Sequence, residues 1–83
     1  MNGYWKHPTR IGEALIIWRR GSSNWRIEID GEALGGYTTP EQALDDLVGG
    51  HTFSHSRCTD TARLGLPDEL SEWEFVALRK GAA

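Results

Sequence analysis

From Trp25 to Asp30 the side chains alternate without a break. Trp25, Ile27 and Ile29 fall on one face and Arg26, Glu28 and Asp30 on the other. A period of two, with β-branched and aromatic residues on the apolar side, predicts a half-buried antiparallel strand. Asp30-Gly31 supplies the positive-φ positions of a tight hairpin, and Ala33, Leu34 and Tyr37 predict a short return strand. Gly35-Gly36 inside that return marks a bulge or a close backbone approach. The period then changes from two to 3.6. Ala43, Leu44, Leu47 and Val48 form one apolar stripe, behind Thr39 as N-cap, Pro40 at the first helical position and Gln42 as a capping-box partner. Gly49-Gly50 ends the helix. A helix of about ten residues is marginal alone in water and must dock its stripe on the sheet.

The flanking segments add strands to this unit. Tyr4 to His7 predicts a first strand and Pro8 to Gly12 a turn. Glu13 to Arg20 predicts a second strand, in which Leu15, Ile16, Ile17 and Trp18 form a continuous apolar run suited to burial on both faces. Gly21 to Asn24 is a loop of turn formers, so 13–20 and 24–30 make an antiparallel hairpin. His51 to Leu66 is polar and aperiodic and is expected to wrap the surface, with Phe53, Leu64 and Leu66 as its pins. Leu66 to Leu70 predicts a single helical turn, with Pro67 and two acids at its N-terminal end. Trp73 to Leu78 predicts a last strand, with Trp73, Phe75 and Ala77 on one face and Glu74, Val76 and Leu78 on the other. The order of elements implies an α+β fold: an antiparallel meander of four to five strands, one α-helix packed on one face and a short helical turn before the last strand.

Composition sharpens this picture in three ways. Eighty-three residues make one domain with a thin core, which four Trp, two Tyr and two Phe help to fill. A formal charge of −3 without a block of like charges argues against a protein that grips duplex DNA mainly through its phosphates. One cysteine, Cys58, excludes an internal disulfide and suits a reducing cytoplasm, while no apolar run has membrane-spanning length and the first residues lack the apolar core of a signal peptide.

Candidate chemistry is sparse. His51, His55, Cys58 and Asp60 carry zinc-ligand chemistry, and Cys58 with a histidine carries that of a nucleophile and base, but all lie in one ten-residue loop. The plainer reading is a set of polar loop residues, and nothing in the chain calls for a cofactor. Glu13, Glu28 and Glu74 are spread over strands as the wet face of a sheet. Arg19, Arg20 and Arg26 flank the 21–24 loop beside Trp18 and Trp25, a basic tip able to touch nucleic acid through phosphate contacts and stacking. The helix presents Glu41, Asp45 and Asp46 away from its stripe. Asp45 and Asp46 oppose the helix dipole, so the face is either simply solvated or kept for a basic partner.

Two resemblances follow from these residues. The pattern W-R-I-E-I-D-G…G-G-Y-T-T-P-E-Q-A over 25–43 resembles the three-strand-plus-helix domain at the N-terminus of phage tyrosine integrases, whose basic sheet reads DNA. Here Glu28, Asp30 and Glu32 make the corresponding sheet acidic. Tyr4-Trp5…His7-Pro8, Gly35-Gly36-Tyr37-Thr38-Thr39-Pro40 and Leu66-Pro67…Trp73-Glu74-Phe75-Val76 resemble small orphan proteins of proteobacterial phages and prophages, some of which are anti-CRISPR inhibitors that occupy a surface on a host complex. That resemblance implies a non-enzymatic accessory protein in the host cytoplasm that occupies a host surface; on the reading of the helix face, Glu41, Asp45 and Asp46 are the residues to meet a basic partner. A nucleic-acid-binding module built on Arg19, Arg20 and Arg26 is the alternative. A zinc-dependent or hydrolytic protein built on the 51–60 loop is the third.

Overall fold

The computed structural model describes residues 3–18, 24–53, 55–57 and 60–77. Its elements are β1 (Gly3–Thr9), β2 (Gly12–Trp18), β3 (Trp25–Ile29), β4 (Glu32–Tyr37), α1 (Pro40–Gly49), 3₁₀ turns at Thr61–Leu64 and Leu70–Glu72, and β5 (Glu74–Ala77). The strands form one antiparallel sheet in the order β4-β3-β2-β1-β5. This is the expected α+β fold: β1 to β4 run as a meander, and β5 returns past the helix to pair with β1. Trp5 faces Phe75 and Lys6 faces Glu74 across that last seam.

Register places the core. Trp5 pairs with Ile16, Ile16 with Ile27, Ala14 with Ile29 and Trp18 with Trp25, so these residues share one face. Helix α1 packs over β2, β3 and β4 on this face. Ile16, Ile27, Ile29, Leu34 and Leu47 are fully enclosed between the two layers. The apolar run of β2 splits as its pleat requires. Ile16 goes under the helix and Ile17, 8% exposed, goes to the opposite face beside Arg26, while Trp18 at the strand end remains 46% exposed.

The bulge falls at Leu34. Ile27 pairs with Gly35 but Glu28 pairs with Ala33, leaving Leu34 as the extra residue on β4. Its side chain drops into the core and its carbonyl accepts the N–H of Phe53 at 3.0 Å. Asp30 and Gly31 take positive φ values of 52° and 84°, as the hairpin requires.

The helix starts as its sequence predicts, with one change in the cap. The Thr39 hydroxyl accepts the Gln42 N–H at 3.1 Å. The Gln42 side chain does not reach back to the N-cap, however. It accepts the Thr38 hydroxyl at 2.5 Å, one residue earlier. Gly50 ends the helix in the left-handed region with φ 77°, its N–H on the Asp46 and Leu47 carbonyls.

The described residues of the 51–66 stretch are more ordered than its composition suggests. Thr61 is buried and its hydroxyl donates to the Leu47 carbonyl at 2.7 Å. Asp60 caps the 61–64 turn by accepting the Ala62 N–H at 3.0 Å. Leu66 is buried and Leu64 packs against the core, as expected of pins. Phe53 does not act as one: its ring is 74% exposed, because the segment is held there by its backbone N–H rather than by its side chain. The helical turn before the last strand lies at Leu70–Glu72, starting where the Leu66–Leu70 span expected for it ends, so that Pro67 and Asp68 precede the turn rather than open it. Trp73 is buried, with its indole N–H on the Pro67 carbonyl at 3.0 Å.

Candidate functional site

The acidic residues of α1 divide into two groups. Glu41 and Asp45 are exposed and, with Asp68 and Glu69 of the turn before β5, ring a cleft of about 300 Å³. Leu44 and Leu70 form its apolar floor. The helix period sets this arrangement: Leu44 points down to the sheet while Glu41 and Asp45, three before and one after, flank it at the rim. Among the described residues no lysine or arginine lines the cleft. Four carboxylates around an apolar floor suit a cation with an aliphatic stem, the shape of a lysine or arginine side chain.

Asp46 does not line that cleft. It is half-buried and accepts a hydrogen bond from the Tyr37 hydroxyl, reaching from α1 to β4. Burial of the phenol, the Asp46 hydrogen bond and the Asp46 charge together push the Tyr37 pKa up to about 12. An acid that opposes the helix dipole thus has an intramolecular purpose: it ties the helix end to the edge strand.

The 51–60 loop does a similar job at the other end of the sheet. His55 is 3% exposed. Its Nδ1 accepts the Arg57 N–H at 3.0 Å, which leaves the proton on Nε2 to be donated to the Ile29 carbonyl at 3.0 Å. Glu32 accepts the Ser56 N–H at 2.9 Å and the Ser56 hydroxyl at 2.8 Å. Arg57 forms an ion pair with Asp30. The Ser56 hydroxyl holds the Glu32 carboxyl below its ordinary range, helped by the Ser56 N–H, His55 and Arg57 and opposed by burial. His55, Ser56 and Arg57 therefore clamp the β3–β4 hairpin.

This geometry separates the ligands proposed for zinc. His51 is exposed next to the helix C-terminus, His55 has both ring nitrogens engaged and Asp60 is spent on a cap; Cys58 lies outside the described residues. Among the described residues no three His, Cys, Asp or Glu side chains converge as a metal site.

Of the three arginines in the basic tip, Arg19 and Arg20 lie outside the described residues. Arg26 projects from β3 onto the face opposite the helix, opposite Gly36 of β4. Glu28, expected on a wet face, is only 6% exposed and engaged. Lys6 bridges the remaining acids of that face, 3.6 Å from Glu13 and 4.0 Å from Glu74. Sequence reading missed Asp68 and Glu69 as members of the acidic rim. They follow Pro67 in a turn signal, and only the fold brings that turn against α1.

No family model, curated protein or solved structure matches the chain. Among the described residues no helix is long and apolar enough to cross a membrane.

Proposed function

We propose that this chain is a non-enzymatic phage or prophage accessory protein that binds a basic surface on a host protein complex, in the manner of an anti-CRISPR inhibitor. The observation that carries this reading is the cleft ringed by Glu41, Asp45, Asp68 and Glu69 over Leu44 and Leu70. Charge complementarity directs such a rim to an arginine- or lysine-bearing partner and speeds the encounter. His55 and Glu32 serve a clamp, Asp60 a cap, and Glu41, Asp45, Asp68 and Glu69 a rim, which suits a protein that acts by occupation.

The test is capture of the partner from a host lysate by immobilised protein. Glu41→Lys with Asp45→Lys reverses two rim charges at exposed positions and leaves Asp46 on Tyr37. The partner is expected to be lost from this variant and to be displaced from the native protein by a free arginine-rich peptide. Unchanged capture, or indifference to the peptide, overturns the role of the cleft.

A further inference from the structure

The face opposite the helix carries a second cleft, of about 370 Å³, lined by Asn24, Arg26, Ala33, Gly35, Gly36 and Phe53. Its composition differs from that of the acidic rim. Among the described residues Arg26 is the single charged one lining it, and no hydrogen bond or ion pair among them occupies its guanidinium. Phe53 stands over the edge of β4 with its ring 74% exposed. Between them β4 contributes Ala33, Gly35 and Gly36, and the Asn24 side chain lies against Gly36. A Cβ at Gly36 would sit 2.6 Å from Asn24 Nδ2, so a side chain there would have to displace the Asn24 amide.

We propose that this cleft binds a nucleotide, its base stacked against Phe53 and its phosphate on Arg26. An exposed aromatic ring matches a planar base, and stacking tolerates any base. An unpaired guanidinium matches a phosphate, which it binds through two parallel hydrogen bonds. The competing occupant of an open sheet edge is an extended peptide that adds a strand. Here the edge is poorly built for that. The Leu34 bulge breaks the ladder within the cleft, the Leu34 carbonyl already accepts the Phe53 N–H, and Gly35 is turned to φ 157°. One arginine in a chain of net charge −3 makes the site weak and salt-sensitive, with a slope of about one counterion.

The proposal is independent of the acidic cleft and is tested separately. The full chain, isotope-labelled, is titrated with AMP, adenosine, inorganic phosphate, a short oligoadenylate and an extended acidic peptide while the backbone amides of Gly35 and Gly36 are followed. AMP is expected to move both amides at lower concentration than adenosine or phosphate alone. Phe53→Ala should weaken AMP about tenfold, the scale of losing one stacking partner. Arg26→Ala should reduce AMP to the affinity of adenosine, and both variants should keep the remaining amide spectrum, which reports an intact fold. Tighter binding of the oligoadenylate than of AMP assigns the site to single-stranded nucleic acid, and equal binding assigns it to free nucleotide. Amides that stay still with AMP, variants that bind AMP as the native chain does, or a peptide that outcompetes AMP each overturn it.

Discussion

The two halves of the sheet close their apolar face by different means. Over β2, β3 and β4 a helix lies on the strands, and Ile27, Ile29, Leu34 and Leu47 are 1% exposed or less. Toward β1 and β5 aromatic rings serve instead. Trp5 meets Trp25 at 5.7 Å and Phe75 at 4.9 Å between ring centroids, and Trp18 meets Trp25 at 5.9 Å, all tilted or edge-on. Phe75 and Trp18 remain nearly half exposed. Among the described residues α1 is the single α-helix, and beyond its reach broad rings, with Trp73 against His7 among them, cover the strands. The sealed half gains a defined interior, and the ringed half keeps part of its apolar area in contact with water.

The largest expected effect separates these halves directly. Leu47→Ala leaves a cavity where the helix meets the sheet and should cost about 3 kcal/mol. Phe75→Ala removes a ring already close to solvent and should cost about 1 kcal/mol. Urea unfolding of both variants checks the ordering, and equal losses would show that the ringed half is as tightly closed as the helical one. Next comes Gly3→Ala. The added methyl would run into the Phe75 ring and the Val76 carbonyl oxygen, so β1 and β5 must separate, at about 1–2 kcal/mol. A neutral result would show that the β1–β5 seam yields easily.

The smallest effects concern the ties at the ends of the helical half. Tyr37 has its pKa raised to about 12, so its contribution is fully present below its ordinary value of 10.0 and is lost as pH rises through about 12. Tyr37→Phe should flatten that alkaline decline in melting temperature. Glu32 behaves oppositely. Its pKa is lowered, so its contribution is present above its ordinary value of 4.5 and disappears as pH falls through the lower folded value. Glu32→Gln should flatten the acid limb, and a limb unchanged by this substitution would place the acid sensitivity at other carboxylates.

Much of the helical half was legible in the chain. Alternation over 25–30, the Asp30-Gly31 turn, the Thr39 cap, the Gly50 stop and the bulge near Gly35 are all local signals, and local signals survive folding. What escaped is what depends on distant partners. His55 sits in a polar, aperiodic stretch, yet the Ile29 carbonyl and the Arg57 N–H make its burial tolerable. Glu28 alternates with apolar neighbours as a solvated residue would, and its enclosure comes from tertiary contacts that no period of two records. The acidic rim was half visible. Glu41 and Asp45 stood out on the helix, whereas Asp68 and Glu69 join them only because the chain passes back over α1 on its way to β5.

That return has a consequence for biosynthesis. Gly3 is matched with Ala77, so β1 leaves a ribosome well before the strand that fills its outer hydrogen bonds. Until then β1 presents a raw border carrying Trp5, open to pairing with any passing chain. Closing so long a loop is slow. A ribosome stalled before β5 would release a sticky four-stranded fragment, and a chaperone that shields such borders should raise the yield of mature protein.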